Sequence, residues 1–325
     1  MERFKIFVTR RIPETGLEKL RAVCQVEVWQ GDLPPERDTL IEKVRGMDGI
    51  LCLLSDRVDR EIMDAAGGQL RAISTYAVGT DNIDLDEATR RGIPVGHTPG
   101  VLTEACADLA FALLMAAARK VVLGDRQVRE GLWRTWEPQG WLGADVHRAT
   151  LGLVGFGRIG QAVARRAAGF DMRVLYFDPS VQDPADGMGQ AVELDEILRE
   201  SDFVSLHAPL TPDTRHLINR ESIKKMKAGA ILVNTARGGL VDQDALAEGL
   251  SSGHLAGAAL DVTDPEPLPT GHALLGMENV IITPHIASAS RATREQMALI
   301  AADNLLAGLR GERLPFCANP RVYPK

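Results

Sequence analysis

The sequence predicts an α/β protein with two doubly wound parallel-sheet domains, and three observations carry that prediction. Short apolar runs alternate with amphipathic helical stretches from Lys5 to Thr98, an all-helical stretch interrupts them at about 101–130, and the alternation resumes at Thr150. A chain of 325 residues, 45% of them hydrophobic, is long enough to bury two cores.

In the first half KIFVT, VEVW, GILCLLS, LRAISTY and PVGHT read as strands. ETGLEKLRAV, PERDTLIEKVRG, REIMDAAG and LDEATRRG supply the helices between them. LTEACADLAFALLMAAARK is helical throughout and leads into a Trp-rich loop at 131–148, which makes 101–148 the connection between domains. TLGLVGFG, RVLYFD, FVSLHAP, AILVNTARG, LAGAALDV and NVIITPH then read as strands of a second sheet. After His285 come a helical run at 289–309 and a Pro-containing tail without a sheet-forming pattern, expected to return to the first domain. The expected division is therefore 1–100 plus 287–325 for one domain and 101–286 for the other. A cleft between them is expected, with two chain crossings as hinges.

Composition narrows the function classes. A net charge of -7, with Lys and Arg dispersed among acids, disfavours nucleic acid as a partner. Cys24, Cys52, Cys106 and Cys317 lie far apart without a CxxC pair, so no metal site or disulfide framework is expected, only small apolar side chains. MERFKIFVTRRIPE lacks the apolar core of a signal peptide, and Leu109 to Ala118 is too short to span a bilayer. The expectation is a cytoplasmic protein with no membrane partner.

Residues 150–178 hold the strongest motif: Gly155, Gly157 and Gly160 lie between an apolar strand and a helical run, and Asp178 closes the next strand. In a dinucleotide site the first glycine permits the turn, the second admits a pyrophosphate, and the third lets helix and strand pack closely. The helix N-terminus favours the phosphates, and an acid at Asp178 can accept bonds from both ribose hydroxyls. The same carboxylate repels a 2'-phosphate, which predicts NAD(H) over NADP(H). The second domain therefore reads as a Rossmann domain.

Ligands of open α/β sheets bind beyond the carboxyl ends of strands. Arg237 follows AILVNTA, Glu266 lies in the loop after LAGAALDV, and His285 follows VIITP. Reduction of a ketone needs a proton donor, which histidine supplies with an ordinary pKa of about 6.5, raised by a neighbouring carboxylate. It also needs a cation for a substrate carboxylate, and arginine offers a planar fork. Taken singly, an Arg in RGG also suits phosphate binding or loop capping, and a Glu in DPEPLP suits solvent; their shared strand-end setting favours chemistry. His207 ends a strand near the expected cofactor, whereas His97, His147, His216, His254 and His272 read as surface or loop residues. At Tyr76 to Asn82, backbone N–H groups exposed by Gly79 suit a carboxylate, and a plain turn capped by Asp81 or Asn82 suits the same residues.

Together these segments resemble the D-2-hydroxyacid dehydrogenases, most closely the glyoxylate and hydroxypyruvate reductase branch. The resemblance rests on STYAVGTDNIDLDEATRRGIPVGHTPGVLTEACADLAFALLMAAAR, LGLVGFGRIGQAVARR, LVNTARGGLVDQDAL, LDVTDPEPLP and ITPHIASA, and covers nearly the whole chain. It implies a flavodoxin-like substrate domain beside the Rossmann NAD domain, Arg237 as substrate ligand, His285 as general acid/base and Glu266 as its partner. It also puts the Val78 and Gly79 backbone, with Arg237 and His285, on a small 2-oxo acid. Gly155, Gly157, Arg158, Ile159, Gly160, Asp178, His207, Thr235, Ala236, Asp261 and His285 fall near NAD. A homodimer formed through the interdomain helices is implied as well. Several reductases of the branch carry a basic or neutral residue where this chain has Asp178 and favour NADPH. Many carry an aromatic in the WxP segment where this chain has Gly140, which leaves its neighbour Trp141 to shape the other subunit's pocket. The resemblance leaves two other outcomes: a different D-2-hydroxyacid oxidoreductase, of 3-phosphoglycerate or phosphite type, or an NAD-sensing corepressor or scaffold.

Overall fold

The computed structural model describes residues 3–181 and 187–324. The chain divides into two compact units, residues 1–102 with 289–325 and residues 103–288.

In the first unit β1 (Phe4–Val8), β2 (Cys24–Val28), β3 (Gly49–Cys52), β4 (Ala72–Thr75) and β5 (Val95–Gly96) form a parallel sheet in the order β2-β1-β3-β4-β5. This is the flavodoxin-like order. Every residue of β3 and β4 is buried. Sheets covered on both faces need such continuous apolar runs rather than alternation. Helices α1 (Glu14–Arg21), α2 (Arg37–Val44), α3 (Arg60–Ala66) and α4 (Leu85–Arg90) connect the strands. Asp59 and Asp84 start the last two by accepting the N–H of Ile62 and Glu87.

The helix Arg291–Leu309 packs against α1, β3 and β4, so the end of the chain belongs to the core of this unit. Beyond it the tail does pair with the sheet, through one antiparallel bridge between Cys317 and Gly96. The buried Asn319 side chain extends that pairing, accepting the Val95 N–H at 2.8 Å and donating to the Ile93 carbonyl at 3.0 Å. An asparagine replacing ladder bonds leaves no periodic signal, which is why the sequence showed no strand there.

The second unit begins with α5 (Thr103–Ala118) and α6 (Val121–Arg129). Then follow β6 (Thr150–Val154), α7 (Arg158–Ala168), β7 (Arg173–Phe177), β8 (Gln190–Ala191), α8 (Leu194–Glu200), β9 (Phe203–Leu206) and α9 (Arg220–Lys225). The unit closes with β10 (Ile231–Asn234), α10 (Gln243–Ser251), β11 (Gly257–Leu260) and β12 (Val280–Ile282). Its seven parallel strands run β12-β11-β10-β9-β6-β7-β8, a Rossmann order with the strand sequence reversing between β6 and β9. Strand β8 escaped the sequence reading because it is two exposed residues without an apolar pattern. Helix α5 puts Ala107, Ala110, Leu113 and Leu114 into this core. Among the described residues no helix is long and apolar enough to cross a membrane. Cys24, Cys52 and Cys106 are buried and Cys317 half-buried, and none of the four is in a disulfide among the described residues.

Candidate active site

At the end of β6 the chain turns through Gly155 with φ +93°, where a side chain would meet the backbone of His207 and Ala208 within 2.7 Å. A Cβ on Gly160 would lie 2.3 Å from the Gly155 carbonyl, so α7 packs directly on the turn. Gly157 differs from both: nothing lies within 4 Å of its missing Cβ. That open space, at the N-cap of the eleven-residue α7, is where a pyrophosphate can approach the backbone. The turn therefore fits a dinucleotide, with Arg158 and Ile159 in the first turn of the helix.

Asp178 follows β7, as the motif requires, but its carboxylate is more occupied than the sequence suggested. One oxygen accepts the Phe156 N–H at 2.7 Å, and the other accepts the N–H and hydroxyl of Ser180 at 2.9 and 2.6 Å. Burial raises its pKa, and these donors outweigh that effect, so the group sits below the usual aspartate value. A fully charged Asp178 braces the glycine turn and keeps acceptor capacity only on the oxygen bonded to Phe156. His207 follows β9; its Nε2 lies 2.9 Å from Ser205 Oγ, and burial lowers its pKa to about 4. It is a neutral ring at ordinary pH.

Strands β10, β11 and β12 are neighbours, and their carboxyl ends hold the polar trio. At β10 the buried Asn234 side chain accepts the Ala236 N–H at 3.0 Å and donates to the Arg237 carbonyl at 2.8 Å, which shapes the turn carrying Arg237. Gly238 then lets this turn approach the next loop: a Cβ there would lie 2.0 Å from the Thr263 carbonyl. Gln243 grips both the N–H and the carbonyl of Asp264 in that same loop. Glu266 closes the loop by accepting the Thr263 N–H at 3.1 Å with one oxygen. Its other oxygen is 2.9 Å from Nδ1 of His285. A carboxylate at that distance keeps the proton on Nδ1 and leaves Nε2 as the nitrogen for other chemistry.

His285 itself takes a left-handed conformation, φ +53°. Asp261 holds it there. Its carbonyl accepts the His285 N–H at 2.9 Å, while its carboxylate accepts the Thr283 hydroxyl and the N–H groups of Ile286 and Ala287 at 2.6 to 2.8 Å. Asp261 is 1% exposed, and these bonds build the loop that presents the imidazole. Thr235, on the same edge, has a buried hydroxyl with no hydrogen-bond partner among the described residues.

In the first unit the β4 loop is tied at both ends. Tyr76 N–H donates to the Cys52 carbonyl at 2.9 Å, and Asn82 Nδ2 donates to the carbonyls of Leu53 and Asp56 at 2.9 and 2.7 Å. The buried Asp56 carboxylate in turn accepts the Leu53 N–H at 2.7 Å and the Thr9 hydroxyl. These bonds stitch together the carboxyl ends of β1, β3 and β4. Asn82 is therefore more than a cap, and Val78 and Gly79 lie in a fixed loop.

Several histidines differ from the surface reading. His97, His254 and His272 are partly buried, with ring nitrogens on the Val78 carbonyl, the Ile223 carbonyl and the Leu274 N–H. His147 and His216 are exposed. Asn234, Gln243 and Asp56 were missed: Gln243 holds Asp264 twenty-one positions away and Asp56 meets the Thr9 hydroxyl forty-seven positions away, while Asn234 works within its own turn. The one available signal was a polar residue closing the apolar run ILVN.

A Rossmann turn fitted to a dinucleotide, with an imidazole–carboxylate pair and an arginine on adjoining strand ends, describes a nicotinamide-dependent oxidoreductase. Residues 111–287 match the family described as "D-isomer specific 2-hydroxyacid dehydrogenase, NAD binding domain". The chain belongs to that family. A glyoxylate reductase of Korarchaeum cryptofilum (strain OPF8) is 52% identical over 321 residues, covering 98% of this chain and 96% of that protein. Among solved structures, the TT0316 protein from Thermus thermophilus is 52% identical with a TM-score of 0.92, covering 97% of this chain and 100% of that one. An NADPH-dependent glyoxylate/hydroxypyruvate reductase from Sinorhizobium meliloti, in complex with NADP and malonate, is 29% identical with a TM-score of 0.85, covering 100% and 99%.

Proposed function

We propose that this chain reduces glyoxylate, and hydroxypyruvate as a second substrate, to the 2-hydroxy acid with NADH as reductant. The observation that carries the reading is the His285–Glu266 pair, 2.9 Å apart at the end of β12. When bound, the reduced nicotinamide supplies a hydride. The protein's share is to hold the acid and deliver a proton. Arg237 grips the substrate carboxylate and polarises the adjacent carbonyl, and the Val78 and Gly79 N–H groups donate to the same carboxylate. His285 gives the Nε2 proton to the carbonyl oxygen as it becomes an alkoxide, while Glu266 fixes the ring and its tautomer. The glyoxylate reductase relative at 52% identity favours a small acid.

NADH is the favoured cofactor in this reading because Asp178 follows β7, as the dinucleotide motif requires, and its charged carboxylate would repel a 2'-phosphate. Thr235, Ala236, Asp261 and His207 complete the cofactor edge, Asp261 through the loop it builds. The protein is a homodimer in this reading. Val121, Val122 and Val128 on α6, and Leu132, Trp133, Trp136 and Leu142 in the loop after it, are each more than half exposed, an apolar surface that a second copy would cover. Trp141, 45% exposed, then reaches the substrate pocket of the other subunit. An altered substrate preference in Trp141→Ala supports that role.

The test is the loss of reduced-nicotinamide absorbance with NADH or NADPH against glyoxylate, hydroxypyruvate, pyruvate and 3-phosphohydroxypyruvate. Fast NADH oxidation with glyoxylate is expected. Equal rates with both cofactors refute the role of Asp178, and NADH binding without turnover of any acid refutes the reductase reading.

A further inference from the structure

Val78 and Gly79 follow β4, and among the described residues neither N–H donates a hydrogen bond. The carbonyls that share a peptide plane with those N–H groups are both held. The Ala77 carbonyl accepts the Thr98 N–H at 2.8 Å, and the Val78 carbonyl is 3.0 Å from Nδ1 of His97. A carbonyl only accepts, so Nδ1 of His97 carries the proton. In a planar trans peptide the C=O and N–H point in opposite directions. Each held carbonyl therefore turns the N–H of its own peptide away from the partner: the Val78 N–H away from Thr98, and the Gly79 N–H away from the His97 ring.

His97 is itself anchored. Its N–H donates to the Phe316 carbonyl at 3.2 Å, and its carbonyl accepts Asn304 Nδ2 at 2.8 Å. Asn304 is wholly buried. The long C-terminal helix and the tail thereby hold the ring against the β4 loop.

We propose that His97 is a positioning residue for the substrate: its Nδ1–H holds the Val78 carbonyl so that the Gly79 N–H is aimed at the substrate carboxylate. The inference rests on the reading of Val78 and Gly79 as carboxylate ligands. It assigns His97 no contact with substrate and no proton transfer.

Three substitutions test it. His97→Phe keeps the ring volume and removes the donor, His97→Gln moves the donor towards the Nε2 position, and His97→Asn keeps a donor close to Nδ1. We expect His97→Phe and His97→Gln to raise the glyoxylate KM about 5- to 30-fold with little change in kcat. His97→Asn should stay within about threefold of the parent, and all three should bind NADH normally with retained cooperative melting. A residue that merely packs would not give a KM effect rescued by Asn alone. If His97→Phe and His97→Gln keep the parent KM, or if His97→Asn loses as much as they do, the inference is wrong. Gly79→Pro, which deletes the N–H, reports on the carboxylate reading separately. A raised KM there with unchanged His97 variants overturns only the role of His97, whereas an unchanged KM in folded Gly79→Pro overturns both.

Discussion

The carboxyl edges of the two sheets are equipped in different ways. The seven-stranded sheet ends in ionisable side chains: Asp178, His207, Arg237, Asp261 and His285, with Glu266 in the loop after β11. The five-stranded sheet ends in ties, Thr9 to Asp56 and Asn82 to the carbonyls of Leu53 and Asp56, which join the loops after β1, β3 and β4. In the proposed function one edge reaches the substrate through side chains, and the other through peptide N–H groups whose planes side chains hold in place. A single substitution on the first edge should therefore remove a chemical function, while one on the second should loosen binding.

His285→Ala puts that contrast under the greatest strain. Turnover should fall about 10²- to 10⁴-fold while NADH affinity is kept, measured by steady-state rates and fluorescence titration. Near-normal turnover would remove His285 from the chemistry and most of the contrast with it.

His207 gives the next largest effect, and it concerns stability. Burial holds its pKa near 4 against an ordinary 6.5, so between these values the unfolded chain takes up a proton that the folded protein refuses. Stability from this source is fully present above pH 6.5 and declines as pH falls towards 4, by up to about 3 kcal/mol. Urea midpoints measured from pH 7 down to 4 should show that decline, and His207→Gln should flatten it.

Asp178→Ala should shift the ratio of NADPH to NADH efficiency by about tenfold, since a like charge near the 2'-phosphate site is lost. Because the same carboxylate braces Phe156, NADH affinity should also weaken. An unchanged cofactor ratio would leave Asp178 with the bracing role alone.

Asn82→Ala should have the smallest effect, a rise of about fivefold in glyoxylate KM with kcat and NADH affinity preserved. If kcat fell as far as in His285→Ala, the two edges would not differ in kind.

Much of this was legible in the sequence for a definite reason. Parallel strands buried on both faces must be continuous apolar runs, so GILC, AIST, ILVN and GAAL announce themselves. Gly155 and Gly160 were legible because a turn with φ +93° and a contact of 2.3 Å leave no room for a side chain, and Gly157 because a dinucleotide turn needs open space at that point. His285, Arg237 and Glu266 stood out as polar residues directly after apolar strands. His97 did not, since its importance comes from a carbonyl nineteen positions earlier in the chain. Nor did the division of labour at Asp261, whose carboxylate is spent on residues 22 to 26 positions away.

The order of apolar and polar residues by itself determined the two parallel sheets, the dinucleotide turn and the residue types available for chemistry, because burial and backbone sterics act on near neighbours along the chain. Tertiary structure alone decided which carboxylate meets which imidazole, which carbonyls are held, and which N–H groups stay open. Those outcomes depend on hydrogen bonds between strand ends that are distant in sequence and meet only once the sheets have formed.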